Sequence, residues 1–527
     1  MIQKYIYKTI AAFCFICGLF ILTSCENDTV DLMPVDRITD ITAFDTPERC
    51  ALAVTGMYDA IQSGYYPGNN ARRGYPFGAA SIIQSDMRGE DLVNIDAFYQ
   101  VTYEATHNTT SANNVAVWEN SFAAINRINV VLEGISIAEE NGIIAEDVAS
   151  KYMGEAYFLR ALTYSNLLIH FCLPYGVDGN NNYGLPYYEI AINTPERMSE
   201  ALLIERSSVN DTYTKILADL DDAEDLLPPK HDVDAITRAS SGAAIALKTR
   251  IYLWKKDWAN VIVEAKKIVP QLDAPFVSPI GDYKLADTPD IPFINFKSNV
   301  ESIFSVENSS DDNATVNGSL AQMMSNRNGG RGLIAFSPIL YNSPFWLEND
   351  LRRDLLLESN DKYYPDKYQR PQEQDEYAPI IRYAEVLLNY AEAELRSDNT
   401  AMALKLLNAV RNRSVNESDQ YTSSTFPTKK AMLEALLWER RIEFFAEGRR
   451  WEDIHRLIND ADFNSLGIPA KVDPKKLTEE VYEIGKSTAS LIYKEPIVYT
   501  DRRFLWPISQ SDIIRNPTLA AQQNSGW

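Results

Sequence analysis

Apolar residues recur along much of this chain in steps of three, four and seven, the spacing of one face of an α-helix. The pattern is densest across residues 435–458, where Leu437/Trp438, Ile442, Phe444/Phe445, Trp451, Ile454 and Leu457/Ile458 form a broad stripe. Opposite charges stand between them at helical spacing: Arg440 to Glu443, Glu447 to Arg450, Arg449 to Asp453 and Glu452 to Arg456. The spacing predicts an amphipathic helix with solvated ion pairs, each contributing about 0.2–0.5 kcal/mol. Gly448 interrupts the stripe, marking either the close approach of another helix or a break between two.

The same periodicity predicts further helices. Thr46-Pro47-Glu48 supplies an N-cap and a proline at the first helical position, opening a helix through Ala51, Val54, Tyr58 and Ile61 that stops near Gly64. Residues 64–78 are loop by composition. Helices follow at 115–135, at 148–171 (closed by Pro174 and Gly176) and at 209–227. Residues 238–269 hold two helices around Lys255–Trp258. From 270 to 346 the text changes: seven prolines, many Ser, Asn and Gly, and short β-like pieces such as 302–307. Helix returns at 381–395 and 401–413, where Ala391 and Ala403 stand at the twelve-residue spacing of closely packed helix pairs.

The start of the chain adds an address. Lys4 and Lys8 precede the apolar run 10–22, too short to span a bilayer, so residues 1–24 read as an export signal. Leu22-Thr23-Ser24-Cys25 looks like a bacterial lipobox, which predicts cleavage before Cys25 and lipidation of its thiol. Stable tethering takes two or more acyl chains. Glu26, Asn27 and Asp28, with acidic residues on either side of Asn27, resemble a surface-export signal of Bacteroidota lipoproteins. With Cys14 and Cys17 removed and Cys25 lipidated, Cys50 and Cys172 remain, too few for a disulfide scaffold. Each is expected to be a buried, apolar side chain.

Composition narrows the chemistry. Loss of Lys4 and Lys8 takes the formal net charge from −23 to −25, a surface that repels phosphate backbones and excludes nucleic-acid binding. By the same reasoning an acidic polysaccharide is unsuited unless a local basic patch, such as Arg72-Arg73, intervenes. The acidic run 219–225 lacks the glycine turn and alternating oxygen ligands of a calcium loop, so a solvated helix face is expected. His107, His170, His231 and His455 are scattered without metal-ligand spacing, no G-x-S-x-G elbow occurs, and Asn328–Gly332 is not followed by the Lys-Ser/Thr of a P-loop. No catalytic residues, metal or cofactor are expected. The 29 Tyr, 20 Phe and 8 Trp offer rings for a core or for a binding surface.

Several segments carry a resemblance. Residues 439–457 resemble the E-R-x-x-E-F-x-x-E-G-x-R-W-x-D-x-x-R-L signature of the SusD/RagB family, surface lipoproteins that capture nutrients for an outer-membrane transporter. Glu155–Leu162 with Tyr164, the exit loops at Leu173–Gly176 and Leu185-Pro186, the 238–269 segment, Phe504–Ile508, Asn516-Pro517-x-Leu519 and Gln523–Trp527 match further family segments in order. The tail departs by carrying Ser for two prolines and Trp for Tyr.

The resemblance implies a mostly α fold in one domain spanning 25–527. Four TPR-like helix pairs would form a scaffold, with loop-rich insertions at about 64–114 and 270–380 packed against it. The pairs would be 47–63 with 115–134, 148–171 with 209–227, the two helices of 242–269, and 381–413, extended by 431–457. It also implies an outer-membrane lipoprotein that binds an oligosaccharide without cofactor and caps a SusC-like TonB-dependent transporter as its lid; the alternative is a peptide-binding RagB-like lid. Ligand contacts in such proteins come from variable loops, so three polar-aromatic stretches are nominated: Tyr65, Tyr66, Arg72, Tyr75 and Phe77; Arg88, Phe98, Tyr99 and Tyr103; and Arg331, Phe336, Tyr341, Phe345 and Trp346.

Overall fold

The computed structural model describes residues 42–67, 71–180, 182–231 and 236–527. The export signal, the lipobox with Cys25 and the acidic residues after it lie outside the described residues.

Thr46 caps α1 (Pro47–Gln62), its hydroxyl accepting the Arg49 amide. A two-stranded hairpin, β1 (Tyr65–Tyr66) and β2 (Ala71–Arg72), occupies the stretch expected to be loop. The long helices are α3 (Ala112–Glu140), α4 (Glu146–Phe171), α5 (Val209–Leu226), α6 (Ser241–Trp254) and α7 (Trp258–Ile268). They are completed by α8 (Tyr383–Arg396), α9 (Thr400–Arg411), α10 (Lys429–Phe444) and α11 (Arg450–Arg456). Helices α1 and α3, α4 and α5, α6 and α7, and α8 and α9 pack as pairs, and each pair leans on the next through α3–α4, α5–α6 and α7–α8. The molecule is mostly helical, its strands short and confined to two-stranded ladders.

One helix escaped the periodicity. Residues Ala79–Arg88 (α2), between β2 and strand β3 (Leu92–Asn94), are helical and buried at every position. With both faces covered by protein, the segment has no polar stripe to alternate with an apolar one. Strand β4 (Ser302–Val306) pairs with β6 (Ala378–Arg382), while β5 (Ile334–Phe336) pairs antiparallel with β3.

The α10–α11 stretch is two helices, broken where Phe445–Arg449 leave the helical path. Gly448 adopts φ +76°, and a side chain there would press on the backbone of Ile82 at 3.3 Å. Both alternatives read from that glycine, the break and the close approach, therefore hold.

The expectation of solvated pairs along this stretch is corrected. Its charges are buried and paired mostly to other elements: Glu443 with Arg382 (3.0 Å) and Arg413 (2.7 Å), and Glu447 with Arg382 (2.8 Å) and Lys367 (2.6 Å). Arg440 and Arg456 share Asp453, and Arg450 reaches Glu90 at 2.6 Å. Burial alone would raise the Glu443 carboxyl, but Arg413, Arg382 and Arg352 override it and hold it well below the usual range. Helical spacing places charges on a face; it does not say what covers that face. Trp451 is fully buried, its indole donating to the Ile169 carbonyl at 2.8 Å, and Phe445 is buried, whereas Trp438 is half-buried and stacks on Phe345.

The segment 506–527 is sewn into the same core. Buried Arg206 donates to the carbonyls of Gly184 (2.7 Å) and Gln522 (2.9 Å) and to Asn524 Oδ1 (2.8 Å); Asn524 in turn donates to the carbonyls of Phe171 and Trp506. Cys50 and Cys172 are buried and free.

Candidate functional site

The loop-rich parts meet on one part of the surface. Gly64 and Gly74 let the chain fold back on itself: a side chain on Gly64 would strike Tyr75, and Gly74 has φ +73°. The resulting β1–β2 hairpin is held to α3 by Asn120, whose amide accepts the Tyr65 N–H and donates to the Tyr65 carbonyl, both at 2.7 Å. One side chain thus imitates a strand partner at an exposed edge.

A second ladder brings in the other two loops. Pairing of β3 with β5 sets Asn94 opposite Ile334, and the Ile95 amide donates to the Leu333 carbonyl at 3.1 Å. Phe98, just beyond β3, therefore comes beside Arg331, just before β5. The Arg331 guanidinium carbon lies 4.6 Å from the Phe98 ring centroid, and its Nη1 donates to Asn317 at 2.8 Å. Arg73 lies 3.7 Å from the Tyr66 centroid and 5.1 Å from that of Phe98. Two half-buried rings and two guanidinium groups thus form one platform reaching the surface. Beneath it is Tyr99, whose hydroxyl burial raises far above its ordinary value against the opposing charges of Arg73 and Arg331.

The nominated residues divide sharply. Tyr66, Phe98 and Arg331 are brought together, with Tyr65 exposed on the same hairpin. Arg72 turns away from Arg73 and pairs with Asp312 at 3.5 Å, as successive residues of an extended chain point to opposite sides. Tyr75, Phe77, Arg88, Tyr99, Tyr103, Phe336 and Trp346 are corrected: all lie in the core, with exposures from 0 to 7%, and offer no face to a ligand. Their polar atoms largely serve the fold, Tyr75 accepting from Gln84 and Tyr103 donating to the Val472 carbonyl. Arg88 lies 3.5 Å over the Trp451 ring. Tyr341 and Phe345 are half-buried elsewhere, Tyr341 with Tyr363 and Tyr482 and Phe345 on Trp438. Arg73 and Asn317 were not nominated. The Arg72-Arg73 pair was visible as a basic patch, but which arginine turns inward depends on the hairpin.

Two hollows lie beside this framework. A polar groove of about 270 Å³ between α1 and the 306–312 segment is lined by Asp59, Gln62, Glu307, Ser309 and Asp312, the last being the Arg72 partner. An apolar hollow of about 300 Å³ is lined by Trp118, Phe122, Tyr188, Leu202 and Leu519, where hydroxyl groups would face hydrocarbon. Among the described residues, no cluster of three or more His, Cys, Asp or Glu is arranged to hold a metal. His170 contacts Ser85 and Arg88, His455 the Cys172 carbonyl and His231 the Ala239 carbonyl.

Comparison with known proteins places the fold. A family model described as "SusD family" matches residues 355–527, and one described as "Starch-binding associating with outer membrane" matches residues 48–253. A SusD superfamily protein of Bacteroides fragilis superposes with a TM-score of 0.74 at 24% identity, covering 90% of this chain and 99% of the other. The surface glycan-binding protein A of Bacteroides uniformis gives 0.68 at 20% identity, covering 91% and 99%. SusD-like protein P38 of Formosa agariphila is 23% identical over 567 residues, 97% of this chain and 98% of its own. The chain belongs to the SusD-like family.

Proposed function

We propose that the protein is a non-catalytic, lipid-anchored binding protein at the outer membrane, facing the cell exterior through Cys25. It captures an oligosaccharide and hands it to a SusC-like TonB-dependent transporter, which it covers as a lid, with residues 25–527 acting as one body. The observation that carries the reading is the platform of Tyr66, Phe98, Arg73 and Arg331, open on one side and built from three separate loops. Sugar rings present C–H groups on their faces and hydroxyls at their edges. An aromatic face covers the first, and guanidinium and amide groups such as Arg331 and Asn317 take the second. Tyr65 and Arg72 extend the surface along the hairpin, and the polar groove beyond Asp312 offers room for a further residue of the chain.

The family description that names starch binding and the outer membrane, and the glycan-binding name of the B. uniformis neighbour, support the same reading. Isothermal titration against a glycan panel and a peptide mixture tests it. Saturable binding of at least one glycan, lost when Phe98 and Tyr66 are both replaced by Ala, is the expected result. Saturable peptide binding with no glycan binding would show the RagB-like alternative to be the right one.

A further inference from the structure

In a chain of net charge −23 most arginines find a carboxylate, and the buried Arg88 and Arg206, which do not, donate to backbone carbonyls instead. Neither Arg73 nor the exposed Arg331 has a carboxylate partner among the described residues. Arg73 is half-buried, stacks on Tyr66 and Phe98, and its Nε is enclosed without an acceptor. Arg331 has only the neutral Asn317 oxygen and the Met323 sulfur as polar contacts for its guanidinium. Both cations lie within about 5 Å of the same Phe98 centroid, so each feels the repulsion of the other as well as the attraction of the ring. The neighbouring Arg72 shows that a carboxylate is at hand in this region, since Asp312 pairs with it at 3.5 Å. The fold spends that carboxylate on Arg72 and leaves Arg73 and Arg331 uncompensated.

From this geometry we infer that the ligand is an anionic glycan, whose carboxylate or sulfate oxygens lie between Arg73 and Arg331 while its ring packs on Tyr66 or Phe98. The inference rests on the glycan-binding reading above and sharpens it to a substrate class. Guanidinium groups present planar forks of N–H donors that match carboxylate and sulfate oxygens two at a time, which a hydroxyl cannot do. An anion here also relieves the repulsion between the two cations. The strongly acidic surface elsewhere repels the same anions, so the platform becomes the place where they are tolerated. This is the local basic patch that would reconcile an acidic chain with an acidic polysaccharide.

The test uses the full-length protein in non-ionic detergent micelles, titrated against oligosaccharides in three arms: neutral, uronic-acid-bearing and sulfated. Binders are expected from a charged arm, and the arm identifies the anion. Affinity is expected to fall tenfold or more when sodium chloride is raised from 50 to 500 mM, because the interaction is between partly exposed charges. Arg73→Gln and Arg331→Gln should each lower affinity tenfold or more, with Arg73→Lys intermediate, since it keeps the charge but loses the fork. Equal melting temperatures for wild type and the Lys variant separate a binding loss from a folding loss. A neutral glycan bound equally well by wild type and Arg73→Gln would overturn the inference and leave the glycan reading standing. Binding in none of the three arms would overturn both.

Discussion

Two groups of arginines in this protein obey opposite rules. Around α10 and α11 the guanidinium groups of Arg352, Arg382, Arg413, Arg440 and Arg456 are buried and each meets at least one carboxylate. On the hairpin platform Arg73 and Arg331 rest on aromatic rings and meet none among the described residues. Desolvating a charge is costly, so a buried cation that serves the fold is met within the fold, by carboxylates here and by carbonyl and amide oxygens at Arg206. A cation left to a ring and to solvent keeps its hydrogen-bonding capacity for something that arrives later. The comparison teaches that what an arginine meets inside the fold says more about its role here than residue type does.

The sharpest way to break the comparison is to remove a charge from the first group. Glu443→Ala takes one carboxylate from each of Arg352, Arg382 and Arg413, leaves the buried network with one positive charge uncompensated, and should destabilise the fold by about 3–5 kcal/mol, read as a lowered denaturant midpoint. Trp451→Ala removes a fully buried ring from the same region and should cost a similar amount, about 3–5 kcal/mol, in chemical unfolding. A fully folded Trp451→Ala protein that had merely lost ligand binding would reverse the architectural assignment.

A pH titration sharpens the same side. Glu443 and Asp453 are held well below the usual carboxylate range despite burial, Asp453 by Arg440 and Arg456. A depressed folded value means the stabilisation is present above the ordinary carboxylate pKa of about 4 and is lost as pH falls through the folded value. The denaturant midpoint should fall as pH drops below about 4, and Glu443→Gln should shallow that part of the fall. On the platform, Arg73→Gln sacrifices no ion pair and should cost only the stacking, about 0.5–1 kcal/mol, in the same unfolding assay. Smallest of all, Arg72→Gln breaks an exposed pair, 38% and 63% accessible at its two ends, and should change stability by about 0–1 kcal/mol.

Much of the helical scaffold could be read from periodicity because those helices keep one face dry and one wet. The helix at Ala79–Arg88 could not, since both its faces are covered, and nor could the hairpin at Tyr65–Arg72, whose strands are two residues each. The platform was legible only as three stretches rich in Tyr, Phe and Arg. Which members of each stretch turn outward depends on the β3–β5 pairing and on Asn120, contacts between residues far apart in the chain. Rings such as Tyr75, Tyr99 and Trp346 have the same composition as Tyr66 and Phe98 and the opposite fate. The charges at 440–456 were visible residue by residue, yet their partners Glu90, Arg382, Arg413 and Glu392 lie on other elements, beyond any local spacing rule.

The clamp around Arg206 sets a timetable. Two of the acceptors of its guanidinium, the carbonyl of Gln522 and the side chain of Asn524, are made more than three hundred residues after it. While a ribosome is still holding that segment, the guanidinium has no complete cage and the carbonyls of Phe171 and Trp506 lack their Asn524 donor. The clamp therefore closes only once residues 522–524 have joined the fold.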